Sequence, residues 1–233
     1  MASGTLSDAD RILRSDETGG EVAPVERVGD TAADRPAPDG GEHGGALRWG
    51  IIIVALIVAV LIALGVWWSF QPAKFDIDAN MRERMGGPGG EQARDVPGAA
   101  TVATVIKVAD TLLHKPGGYL RNDMTPPGVV MDNMPSWEYG LLTELRDSVR
   151  SLRNDFSRSQ TQSIENEDLK RADSKLNFDA EAWFLPSAEE EYKQGLKALQ
   201  SYLDGLTSGD PRARFYARAD NLRAYLMVVE KRL

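Results

Sequence analysis

The chain has no cysteine and only two histidines, His43 and His114, among its 233 residues. Without thiols there is no disulfide, no thiolate nucleophile, no iron–sulfur cluster and no cysteine-held zinc. Two histidines leave almost no material for an imidazole metal centre or a Ser-His-Asp triad. Positive charge is short as well: 27 Lys and Arg stand against 35 Asp and Glu, for a net charge of −8. A nucleic-acid binder needs a basic footprint to neutralise phosphates, so nucleic acid is not an expected partner. Strand-like alternation of useful length is missing throughout, and the fold class read from the sequence is all-α.

What the chain does have is one long uncharged run, Trp49 to Ala73, in which Ile51 to Val66 consists only of Ile, Val, Leu, Ala and Gly. A hydrocarbon core needs about 20 apolar residues rising about 1.5 Å each, and this run supplies them. Trp49 at one end and Trp67, Trp68 and Phe70 at the other fit the aromatic belts of the two interfaces, so the first three are read as membrane-interface anchors. A buried soluble helix is seldom aliphatic on every face. A cleaved signal peptide has a short basic lead and a 7 to 15 residue apolar region, unlike the long acidic lead here. The run reads as a retained, single-pass transmembrane helix in contact with the lipid bilayer. Arg35 and Arg48 precede it and Lys74, Arg82 and Arg84 follow. Arg48 abuts the apolar run directly, which favours the tail inside and the large domain in the periplasm. Ala55, Ala59 and Ala63 form a small-residue stripe through which two such helices could pack as a homo-oligomer.

The domain reading is a disordered acidic tail over 1–48, the transmembrane helix over 49–73, a flexible spacer over 74–100 and a helical domain over 101–233. The tail carries ten acids, repeated Gly and Pro, and no aromatic residue before the span, too little apolar surface to offset its ordering entropy. One stretch, Leu6 to Leu13, is spaced for a transient helix. In the spacer, Gly86-Gly87-Pro88-Gly89-Gly90 lacks the Gly-Lys-Ser/Thr ending of a phosphate loop, and no cofactor is expected.

In the helical domain, Thr101 is read as the N-cap of a helix carrying Val102, Val105, Ile106, Ala109, Leu112 and Leu113 inward. Leu142, Leu145, Val149, Leu152 and Phe156 set a seam for a helix over 137–158, and Leu169, Ala172 and Leu176 the inner edge of a short helix over 165–176. Ser187-Ala188-Glu189-Glu190 is a capping box opening a helix with Tyr192, Leu196, Leu199, Leu203 and Leu206 inward. Asp210-Pro211 reads as an N-cap followed by proline at the first position of a last helix through Phe215, Leu222 and Leu226. So short a loop between the last two helices predicts an antiparallel hairpin. Residues 116–135 read as a proline-stiffened loop laid across the bundle on Tyr119, Leu120, Val129, Val130, Met131 and Met134, with partner docking as the sharper alternative. The last helix reaches Leu233 without a stop signal, so the natural domain is expected to continue.

Lys115-Pro116-Gly117-Gly118-Tyr119-Leu120, Pro126-Pro127-Gly128-Val129, Asp132-Asn133-Met134-Pro135, Arg153 through Gln160 and Phe215 through Leu222, taken in order, resemble domain-of-unknown-function family 2333. The resemblance implies a proteobacterial protein with one N-terminal transmembrane helix and a helical domain, its relatives longer at the C-terminus; the localisation read from the whole is the bacterial inner membrane. The resemblance implies no activity.

No catalytic, cofactor-binding or metal constellation emerges. His114 reads as a helix C-terminal cation, and Arg146, Arg150 and Arg153 as a solvated face with intrahelical ion pairs. Asn154, Asp155 and Arg158 on one helix and Arg218, Asp220 and Asn221 on another form the candidate polar network, read first as a register-fixing cluster and second as a ligand or proton-handling site. The function read from the whole is a membrane-anchored, non-enzymatic envelope interaction or scaffold protein with an envelope protein partner. Two alternatives stay open: a membrane-proximal enzyme using the Asp/Arg/Asn cluster, and a lipid or small-ligand binder with a cavity between helices.

Overall fold

A computed structural model of the chain describes residues 43–85, 95–159 and 164–232. The tail through Glu42, with its Leu6 to Leu13 stretch, and the Gly86–Gly90 cluster lie outside the described residues. Among the described residues there are seven α-helices and no strand.

Helix α1, His43–Trp68, holds the apolar run. Residues Gly45–Trp68 are long and apolar enough to cross a membrane, with a mean hydropathy of 3.0, and that stretch is apolar on every side with none of it buried in the protein. Ser69 closes the helix by returning its hydroxyl to the Gly65 carbonyl at 2.7 Å.

The span leads into α2, Ile77–Arg84, where a spacer was expected. Asp76 caps it by accepting from the Ala79 amide, and Asn80 and Met81 are buried, the Asn80 amide donating to the Ala103 carbonyl at 3.0 Å. That contact ties the short helix to α3, Ala99–His114, the centre of the core. Thr101 does not cap α3; Gly98 stands at the N-cap with φ +84°. Phe215 lies so close over Gly98 that any Cβ there would overlap its ring.

Helix α4, Asn133–Ser151, begins earlier than its seam predicts and passes into a π turn over Leu152–Phe156. Helix α5, Glu167–Leu176, is capped by Asn166 and buries Leu169, Ala172 and Leu176 as expected. Helix α6, Ala188–Ser208, is capped by Ser187, which accepts from the Glu190 amide at 3.3 Å, and is closed by Gly209 at φ +75°. Its inward face includes Tyr192, Leu199, Leu203 and Leu206, joined by Tyr202. Helices α3 to α6 share one hydrophobic core.

The last helix departs furthest from expectation. Helix α7, Ala219–Glu230, starts eight residues after Pro211. Asp210 caps no helix, and its carboxylate accepts instead from the Arg212 amide at 2.9 Å. The cause is tertiary: Phe215 is held against the Phe156 ring, centroids 4.9 Å apart and nearly parallel, so residues 214–218 stay out of helix to reach it. Nor do α6 and α7 form the expected hairpin, since α7 lies on α4.

Candidate functional site

The π turn explains where the two polar clusters meet. The Ser157 amide donates to the Leu152 carbonyl, five residues back, and the helical run ends there, so the Asp155 and Phe156 carbonyls have no following turn to bond and accept from other donors. The Tyr216 amide donates to Phe156 O at 2.7 Å, and Asn221 Nδ2 donates to Asp155 O at 2.7 Å and to Tyr216 O at 3.2 Å. Asn221 thus joins the π turn to the start of α7 through backbone carbonyls.

The carboxylates of the predicted network do not converge. Asp155 accepts from the Ser151 hydroxyl at 2.9 Å. Asp220 pairs with Arg218 at 2.5 Å, and that hydrogen bond holds its carboxyl below the usual range. Asn154 points to solvent, and Arg158 lies just past the π turn, partly buried.

Beside this junction a cavity of about 370 Å³ opens between α3, α4 and α7, lined chiefly by Val105, Leu152, Phe156, Phe215, Leu222 and Tyr225, with Arg218 at its edge. A second space of about 450 Å³ continues from it along α3, sharing Thr101, Val105, Ser148 and Tyr225. Tyr225 and Ser148 exchange a hydrogen bond at 2.9 Å across the groove. Helix α7 buries no residue, and Leu222 and Leu226 are 50% and 53% exposed with Met227 and Val228 beside them. Among the described residues no group of His, Asp or Glu is arranged to hold a metal ion.

Of the three arginines read as a solvated face, Arg150 is exposed and pairs within the helix with Asp147 at 3.6 Å as expected, whereas Arg146 and Arg153 bond to other elements. Arg146 donates to the Leu176 and Phe178 carbonyls, both at 2.7 Å, where α5 ends. Arg153 bridges Asp173 at 2.7 Å and Glu165 at 3.0 Å. These are bonds between elements, and they fix α5 against α4. His114 ends α3 with its ring nitrogen 3.0 Å from Asp110.

Sequence reasoning missed the most deeply buried charges. Lys115 Nζ lies 2.5 Å from Glu138 Oε1, and neither side chain reaches solvent. Glu138 also accepts from the Leu120 amide at 2.9 Å and the Arg121 amide at 2.8 Å, while Lys115 donates to the Gly118 carbonyl. Burial pushes the Glu138 carboxyl above its ordinary range, against the pull of Lys115 and the two amides. The available signal was spacing: Met134, Glu138 and Leu142 stand four apart on the inward side of α4. The pair anchors the 116–135 loop, which buries Tyr119, Leu120 and Met134 but leaves Val129 and Val130 exposed.

On α1, Trp49 and Trp67 are exposed, Trp68 leans on Gly117, and Ala55, Ala59 and Ala63 lie exposed along the helix.

Residues 42–233 match the family described as an uncharacterised protein conserved in bacteria, DUF2333, and the chain belongs to that family. No curated protein and no solved structure matches the chain.

Proposed function

We propose that this chain is a single-pass inner-membrane protein whose helical domain stands in the periplasm and binds a partner without catalysing a reaction, the partner being an amphipathic helix of another envelope protein. The carrying observation is α7: it is amphipathic, yet it buries no residue and leaves Leu222, Leu226, Met227 and Val228 exposed beside a continuous apolar groove. A helix laid in such a groove would remove those side chains from water, each buried aliphatic side chain contributing roughly 1.5 to 3 kcal/mol. Anchoring is supported by α1, apolar on all sides and unburied. The periplasmic placement is supported by Arg48 immediately before the apolar run.

The enzyme reading has less support. The carboxylates of Asp155 and Asp220 are turned to Ser151 and Arg218, and neither lines the cavity. A second reading, a binder of a small apolar ligand, is favoured by the cavity's size of about 370 Å³.

The test is a photocrosslinking amino acid at Leu226 of the full chain in living cells. A discrete adduct with one envelope protein, absent when the probe is at Lys193, is expected. No adduct at Leu226 would remove the partner reading, and an adduct only with small ligands would favour the second one. Phosphatase and fluorescent fusions after Gly98 test orientation, and a fusion active only as a cytoplasmic reporter would overturn the periplasmic placement.

A further inference from the structure

Two exposed, uncharged loops stand out, the first of them packed against the C-terminal end of α1. The first is the eight-residue uncharged stretch Met124 to Met131, in which Met124, Val129 and Val130 are exposed, Val130 at 75%, around buried Pro127 and Gly128. The second is Ala182 to Ser187, also uncharged, whose Trp183, Phe184 and Leu185 are exposed, Leu185 at 80%. The Trp183 and Phe184 rings rest on each other at 5.5 Å and on no deeper aromatic ring.

The attachment to α1 is direct for the first loop. Pro127 packs against Gly65, its Cβ 3.5 Å from where a Gly65 Cβ would lie, and Trp68 lies against Gly117 at the loop's root. The second loop is held through its lead-in, which is bonded to the stretch before the first loop: Asn122 donates to the Ala182 carbonyl at 2.9 Å, Arg121 pairs with Glu181 at 3.1 Å, and the Tyr119 hydroxyl donates to the Ala180 carbonyl at 3.0 Å.

These contacts fix a depth. If Trp67 and Trp68 stand at the interface where α1 leaves the bilayer, Gly65 lies about 3 to 4.5 Å further in, at about 1.5 Å per residue. Pro127 touches α1 at that level, so the loop that carries it lies at or below the aromatic belt. Val129 and Val130, two and three residues on, then face lipid and not water. Trp, Phe, Leu and Val without an intervening charge are the side chains that partition into an interface.

We propose that loops 124–131 and 182–187 form a second lipid contact, inserted in the leaflet where α1 ends, which holds the helical domain down on the membrane surface. The proposal rests on the reading of α1 as a membrane anchor. The occupant is the phospholipid bilayer itself, because the first loop packs on a helix read as crossing it, the second is bonded to the stretch that leads into the first, and neither carries a charge for a polar partner to read.

The absence of native cysteine makes the test clean. Single substitutions Val130→Cys, Phe184→Cys, Ile57→Cys and Ser208→Cys are labelled with an environment-sensitive dye, each in the full chain reconstituted into vesicles of phosphatidylethanolamine and phosphatidylglycerol. Quenching by lipids brominated high on the acyl chain is then compared with unbrominated vesicles, with no other protein present. Dyes at 130 and 184 are expected to lose several-fold more fluorescence than the dye at 208, at the far end of α6, and the dye at 57 is expected to be quenched as well. Quenching at 57 with either loop site no more quenched than 208 overturns the lipid contact and leaves the anchor standing, as it would if the loops served a protein partner. An unquenched dye at 57 overturns the anchor, and the lipid contact with it.

Discussion

Lys115 Nζ and Glu138 Oε1 stand 2.5 Å apart, one at the end of α3 and the other in the second turn of α4, both sealed from solvent. The pair closes the root of the loop that carries Pro127 toward α1. Removing two ions from water costs several kcal/mol each, and their attraction repays this only when the remaining hydrogen bonds are satisfied. Here the Leu120 and Arg121 amides and the Gly118 carbonyl satisfy them.

Breaking that pair from one side is therefore expected to be expensive. Lys115→Met strands a buried carboxylate and should cost about 3 to 5 kcal/mol. Combining it with Glu138→Gln removes the stranded charge but keeps an acceptor for the two amides, so the double variant should recover much of the loss. Denaturant unfolding of the detergent-solubilised chain, followed by circular dichroism, measures both. A double variant no more stable than Lys115→Met would refute the charge account.

The same pair sets a pH dependence. Glu138 holds its proton more tightly folded than unfolded, because burial raises its folded value above the ordinary 4.5. Its contribution to stability is then fully present below that ordinary value and falls as pH rises through the window up to the raised folded value. Glu138→Gln should flatten this slope. Lys115→Met should carry the slope to higher pH, because the opposing cation is gone. Unfolding midpoints measured from pH 4 upward would show both, and an unchanged profile in Glu138→Gln would assign the slope to other groups.

Asn221 and Asn154 were paired in the sequence as members of one network, yet the structure separates them. Asn221 gives both amide protons to backbone carbonyls, whereas Asn154 faces water. Asn221→Leu should cost roughly 1 to 3 kcal/mol, the usual penalty for stranding partly buried acceptors. Asn154→Leu should stay within about 0.5 kcal/mol of wild type. Equal losses at the two positions would show that Asn154 has a buried partner.

Arg146 illustrates a bond set that charge alone does not supply. Its guanidinium reaches the Leu176 and Phe178 carbonyls together, with the Tyr192 hydroxyl 3.4 Å away. Loss of these charge-assisted bonds in Arg146→Met should cost about 1.5 to 3 kcal/mol. Arg146→Lys should rescue little, because an ammonium cannot present two planar donors to two separated carbonyls. Full rescue by lysine, read as an unchanged unfolding midpoint, would make the role electrostatic only.

The parts of the fold that sequence made legible are those set by local rules. Ser187 caps α6 through a bond within three residues, and the inward Leu residues of α5 and α6 repeat at helical spacing. What escaped was decided at long range. Asp210-Pro211 has the local chemistry of a helix start, but the Phe215–Phe156 stack and the close approach to Gly98 claim the chain first. The π turn has no sequence signature apart from the donors its carbonyls accept from, Tyr216 and Asn221, some 60 residues away. The Arg146 and Arg153 partners likewise lie on other elements, so an intrahelical reading could not find them.

Gly117 joins a backbone demand to a tertiary one, and the two can be separated. Its φ of +85° lies in the left-handed region, where a Cβ costs about 1 to 2 kcal/mol. The same Cβ would come within 2.8 Å of the Trp68 ring. Gly117→Ala should therefore destabilise twice over, once through the backbone and once by pushing Trp68 off the loop. In a Trp68→Ala background the Trp68 part vanishes, leaving Gly117→Ala with the backbone cost and the 3.1 Å approach to Leu120. The difference between the two costs, measured as a double-mutant cycle in vesicle-reconstituted chain, is the energy with which the end of α1 grips the loop. A coupling near zero would mean that Trp68 moves aside freely and that α1 is not firmly docked against the loop at Gly117.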